Sequence, residues 1–169
     1  MRKRLQVTDD SGFLALVDPD ADEGYVGREW QLDDLFARVR DQMAARRLLI
    51  WGTGSEGHWT VGVSVGHDGP SGVREVTGSI DASKGRLLLT NYESLTMAAQ
   101  YQDVILPQDH EADLVIAVRA GPYQCRIVQH ALTDHSHTDA ILPDFTIALR
   151  STDVMLPPWA SIPWSEGES

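Results

Sequence analysis

At 169 residues, 42% hydrophobic and 23% charged, the chain is the size and composition of one globular domain and is too apolar to be a disordered tract. Its formal net charge of −11 repels nucleic acid and anionic membrane surfaces and favours basic proteins as partners. The one cysteine excludes an internal disulfide, and no stretch approaches the roughly 18 apolar residues of a membrane span.

Met1-Arg-Lys-Arg4 is basic, but no apolar run follows, so it does not read as a signal peptide and a cytoplasmic location is expected. Residues 1–11 are expected to be flexible. The apolar run Gly12–Asp18 reads as a strand. It ends in the acidic loop Asp18-Pro19-Asp20-Ala21-Asp22-Glu23-Gly24, where Pro and Gly break regular structure. A helix is predicted over Glu29–Ala45, with Leu32, Leu35, Phe36, Val39 and Met43 on one face. Glu29, Asp33 and Asp34 come early in it and Arg38, Arg40, Arg46 and Arg47 late, an order that complements the helix dipole. Arg46 and Arg47 therefore have a structural reason to be there and need not form a nucleic-acid patch.

After the helix the apolar period becomes two. Strands are predicted at 48–51 and 58–65, joined by a glycine-rich hairpin loop over Gly52–Gly57, and then at 73–82, 86–90, 100–106, 113–118, 123–129 and 145–149. Gly, Pro and Asp separate them at spacings of roughly ten residues, the rhythm of a sandwich or barrel. The expected architecture is mainly β, a single antiparallel β-sandwich domain over 1–169 with one early amphipathic helix packed on it. The tail from Ser151 carries Trp159 and Trp164 and is expected to dock on the body, with residues 165–169 frayed.

Charge is unevenly spread along this order. Residues 1–47 hold 10 Asp+Glu against 8 Lys+Arg, and residues 48–169 hold 15 against 6. The strand-rich part thus carries nearly all the excess acid and sets up a long-range attraction for a basic partner.

The motifs that suggest other chemistry each have a plainer explanation. Gly52-Thr-Gly-Ser-Glu-Gly57 is a literal G-x-G-x-x-G, but a dinucleotide site needs a helix after the last Gly, and His58–Val65 alternates like a strand. Asp134-His-Ser-His-Thr-Asp139 places His135, His137 and Asp139 on one side of an extended chain, where they are weak candidates for a metal site and equally a polar loop. Asp103, Asp109, Glu111 and Asp113 offer carboxylate pairs for acid–base work, or a row of surface acids. Trp51 and Trp59 suit either a sugar-stacking platform or the core. Cys125, in an apolar strand, reads as a core thiol. No nucleophile elbow is present, and no cofactor is implied.

The order of elements resembles one known family. A strand at Phe13–Val17, an acidic loop, a helix opened by Trp30-Gln-Leu-Asp-Asp34, and a turn at Lys84-Gly85-Arg86 lead to Gln102-Asp-Val-Ile-Leu-Pro107 and Gly121-Pro-Tyr-Gln-Cys-Arg-Ile127. Over roughly residues 12–130 this is similar to the competence protein J family, small acidic inhibitors of a nuclease. The resemblance implies a non-enzymatic inhibitor or immunity protein that occludes a basic nuclease or nuclease-type toxin, without touching nucleic acid itself. The alternatives are a metal-dependent enzyme on a β-fold and a carbohydrate-binding module. The acids expected at a partner interface are Asp18, Asp20, Asp22 and Glu23, then Asp109, Glu111 and Asp113.

Overall fold

Alternating burial along the strands sorts the chain into two sheets. The computed structural model describes residues 2–21, 32–101, 103–130 and 142–165, and the side chains of these except 32–35. In chain order its elements are β1 (Arg2–Asp9), β2 (Phe13–Val17), α1 (Leu32–Ala44), β3 (Leu48–Gly52), β4 (Gly57–Val65), β5 (Arg74–Ala82), β6 (Arg86–Asn91), α2 (Tyr92–Gln100), a 3-10 turn (Asp109–Leu114), β7 (Val115–Ala117), β8 (Gly121–Gln129) and β9 (Phe145–Ser151). One sheet runs β1-β4-β9-β8-β5 and the other β3-β2-β6-β7. The mainly β, two-sheet architecture expected from the sequence is therefore present. Neighbouring strands are antiparallel except β4 and β9, which pair in parallel from Val61–Phe145 to Val65–Leu149, so the first sheet is mixed.

The four-stranded sheet is buried on both faces, which explains its continuous apolar runs. Leu14, Leu16, Leu49, Trp51, Leu87 and Leu89 point into the space between the sheets. There they meet Trp59, Val61, Ile80, Cys125, Phe145 and Ile147 of the five-stranded sheet. The alternate residues Ala15, Val17, Leu48, Ile50 and Leu88 pack with Val39 and Met43 of α1 and Leu95 of α2 in a second core. Burying one such leucine contributes roughly 1.5–3 kcal/mol.

Several local expectations are corrected. Arg2–Asp9, expected to be flexible, is a strand paired along its whole length with β4. Gly52–Gly57 is not a hairpin loop, because β3 and β4 belong to different sheets and the segment crosses between them. Among the described residues of 100–106 no strand is present. A second helix ends at Gln100 instead, with Asn91 as its N-cap, whose side chain accepts from Ser94 N. Only Val115–Ala117 of the predicted strand 113–118 is extended, and its start is 3-10. Phe36, placed on the buried face of α1, is 39% exposed, whereas Val39 and Met43 are buried as expected.

The tail docks as expected, across the open side between the edge strands β3 and β5. Trp159 Nε1 donates to Thr77 O at 3.0 Å, Leu156 N to Ser79 Oγ at 2.7 Å and Gly52 N to Pro163 O at 2.8 Å. Glycine makes the approach possible: a Cβ on Gly78 would lie 2.8 Å from the Trp159 ring, and one on Gly52 would lie 2.2 Å from Trp164 O. The tail thereby covers two strand edges that would otherwise present unpaired backbone groups.

Candidate functional site

The acids singled out in the sequence separate into those the fold uses internally and those it presents to solvent. Asp18, at the end of β2, is 1% exposed. Its carboxylate accepts from Asp20 N at 3.1 Å and from Ser83 N at 2.9 Å, tying the end of β2 to the β5–β6 turn. Asp20 forms a two-pronged pair with Arg86, 2.9 Å from Nε and 2.9 Å from Nη2. The Arg86 hydrogen bond holds the Asp20 carboxyl below its ordinary value, and Asp20 in turn raises Arg86. Asp22 and Glu23 lie outside the described residues.

Glu111 is also internal, at 2% exposure. It accepts from the Thr90 hydroxyl and, at 3.1 Å, from Gln108 N, so it fastens the 3-10 turn to β6. Its neighbours Asp109 and Asp113 on the same turn are exposed, as is Asp103 in the preceding loop. Between Asp103 and Asp109 the chain buries Leu106 in the second core and leaves Ile105 74% exposed. From Leu87 to Val118 the sequence contains no Lys or Arg, and it carries Glu93, Asp103, Asp109, Glu111 and Asp113. Lys3 reaches this region from β1, its ammonium donating to Val115 O at 2.9 Å.

Sequence reasoning passed over a heavily bonded carboxylate. Asp9 is 1% exposed and accepts from the backbone N–H groups of Ser11, Gly12 and Phe13. It also accepts from Thr53 Oγ1 at 2.8 Å and Trp59 Nε1 at 3.1 Å. One carboxylate therefore organises the β1–β2 turn and the glycine-rich crossing. That leaves the G-x-G-x-x-G segment a structural connection followed by a strand, with no helix N-terminus to receive phosphate. Its signal was the acid–polar–Gly turn at Asp9–Gly12, legible only once Thr53 and Trp59 are brought beside it.

Other candidates are settled by burial. Trp51 and Trp59 are 0% and 1% exposed, which overturns a sugar-stacking platform. Cys125 is fully buried and burial pushes its thiol far up, so it is a core residue and no nucleophile. His135, His137 and Asp139 lie outside the described residues. Among the described residues no group of three His, Cys, Asp or Glu is placed to hold a metal. No described helix is long and apolar enough to cross a membrane.

Two solved structures share this arrangement. The product of crocagin biosynthetic gene J superposes with a TM-score of 0.56 over 89% of this chain and 95% of its own, at 15% identity. ComJ from Bacillus subtilis, an inhibitor of the DNA-degrading activity of NucA, superposes with a TM-score of 0.50 over 89% of this chain and 96% of its own, at 10% identity. At these identities the likeness is one of fold, and at that level the resemblance to the competence protein J family holds. No protein-family model and no curated protein matches the chain.

Proposed function

We propose that the protein is an inhibitor that binds a basic nuclease and blocks its substrate-binding surface. The observation that carries this reading is the fold shared with ComJ across 89% of the chain, in a molecule whose formal charge is −11. A nuclease must hold phosphate and so presents cations around its cleft. An acidic protein is drawn to that surface over long range and competes for it. The proposed interface comprises the exposed acids Asp103, Asp109 and Asp113 and the exposed Ile105, with Asp22 and Glu23 as a second group. Asp18 and Glu111 act beneath the surface, Asp18 accepting from Asp20 N and Ser83 N and Glu111 fastening the 3-10 turn, and Asp20 is tied to Arg86. An exposed aliphatic side chain in an acidic stretch of chain suits a basic protein, because an apolar contact slows dissociation while surrounding charges speed encounter.

The test is capture of partners from native cells at low and high salt, followed by titration of the recovered partner's DNA-degrading activity. Loss of that activity at an equal molar ratio is the expected result. Recovery of only neutral or acidic proteins, or an undiminished activity at excess inhibitor, overturns the proposal.

A further inference from the structure

The two sheets present edge strands on two sides, β1 with β7 and β3 with β5. On the second side the chain seats its own C-terminal tail. Residues 152–165 form neither helix nor strand, and none of them is buried. β9 gives way to a turn in which Thr152 Oγ1 accepts from Val154 N at 3.1 Å, and Val154 is 70% exposed. Beyond this hinge the tail is held by what it docks on rather than by structure of its own.

The slot between β3 and β5 is shaped for this tail. Trp159 sits where the two edges meet, since a Cβ on Gly78 would lie 2.8 Å from both its ring and Leu49 Cδ2. It packs against both hydrophobic cores, and Trp164 packs against the one between the sheets. Arg74 Cζ stands 4.4 Å from the centroid of the Trp164 ring. Just past α1, Arg46 is left-handed at φ 59, a conformation that glycine usually supplies at a helix end. Its Nη2 donates to Leu156 O at 3.0 Å, so the side chain clasps the tail. Trp164 is left-handed too, at φ 63, and the docking contacts hold that strain.

We propose that this slot is an exchangeable peptide-binding site whose other occupant is the tail of a second copy of this chain, giving a tail-swapped dimer. The contacts named above run between tail and body, so each re-forms unchanged when the tail arrives from another molecule. Only the hinge differs between the two arrangements. In the monomer the tether gives the tail an effective concentration on the order of millimolar. The exchanged form therefore grows with protein concentration, and it grows further when the resident tail is weakened. Reciprocal exchange closes the pair about a twofold axis and fills both slots. The site is independent of the inhibitor reading: it borders β3, whereas the acidic turn leads into β7 at the opposite edge of the same sheet.

The test mixes two full-length variants whose folding is checked by circular dichroism. Gly52→Ala obstructs its own slot and keeps an intact tail, whereas Trp159→Ala/Trp164→Ala keeps an intact slot and loses the anchors of its tail. Each alone should be monomeric by light scattering, and the mixture should give a one-to-one complex of doubled mass. A mixture of folded variants that stays monomeric overturns the proposal, as does Gly52→Ala pairing with itself as readily as with the other variant. If either variant does not fold, a labelled synthetic peptide of residues 152–165 is titrated into the wild type up to its effective concentration, about 1 mM. It should bind saturably, one per chain, and the same peptide with both tryptophans replaced by alanine should bind about tenfold or more weakly. Absence of that binding, or equal binding of the two peptides, overturns the proposal equally.

Discussion

Glu111 reaches from the acidic 3-10 turn into the interior and accepts the hydroxyl of Thr90 on β6. Both side chains are buried, so the turn that displays Asp109 and Asp113 is fixed from beneath by an acid that solvent does not reach. Thr90→Val keeps the shape and removes the donor, leaving a buried carboxylate short of a partner. The expected cost is about 1–3 kcal/mol, read as a lower denaturation midpoint with unchanged slope. Thr90→Ser, which keeps the hydroxyl, should cost less. Equal losses in the two variants would show that the contact is not the anchor.

The Asp20–Arg86 pair makes a pH-dependent contribution whose sign follows from the depressed Asp20 value. A carboxyl held below its ordinary 3.8 stabilises the folded state fully above that value and loses the contribution as pH falls through the folded one. Arg86→Gln should therefore destabilise the protein at neutral pH by at most about 1 kcal/mol, since the pair is partly exposed. The difference from wild type should close in acid below the ordinary carboxylate range. Denaturation midpoints across that window give the answer, and a gap that persists in strong acid refutes the electrostatic account.

Rim acids act mainly on association. Asp109→Asn/Asp113→Asn should slow binding to the proposed nuclease partner by about threefold or more at low salt and flatten the salt dependence of the association rate, with little change in dissociation. Asp22→Asn/Glu23→Gln should behave alike if the second loop shares the interface. Stopped-flow binding at two ionic strengths measures both. Unchanged rates in both variants would move the interface elsewhere.

The C-terminal tail depends on a glycine that no helix or turn requires. Gly52→Ala places a methyl in collision with Trp164 O and disturbs the Gly52 N to Pro163 O hydrogen bond. The tail should detach in this variant, and limited proteolysis should cut within Ser151–Ser165 at protease levels that leave the wild type intact. Trp159→Ala should produce the same susceptibility through lost packing on Gly78. Wild-type resistance in both variants would contradict the docking role.

Cys125 is sealed between the sheets and its thiol is pushed up by burial, so little thiolate forms at neutral pH. Ellman's reagent should find no reactive thiol in the native protein and one after denaturation. Rapid modification of the native protein would place Cys125 at the surface.

The sequence by itself determined what local periodicity and composition encode. The period-two runs at Trp59–Val63 and Tyr123–Ile127, the Val39–Met43 stripe of α1, the interior setting of Cys125 and the overall acidity were all legible, because strand and helix periods directly sort side chains by face. It passed over the short helix Tyr92–Gln100, which Asn91 caps, and it misled at 100–106, where an apolar pattern reads as a strand. What only the tertiary structure decided was partnership across the chain. β4 pairs in parallel with β9, far along the sequence, and the Gly52–Gly57 segment changes sheets, neither of which leaves a local trace. The same holds for the acids. Asp18, Asp20 and Glu111 look like Asp109 and Asp113 in the sequence, yet the fold supplies Ser83, Arg86 and Thr90 to the first three and water to the other two. A carboxylate's role is set by the donors that long-range packing brings to it, and those donors lie tens of residues away.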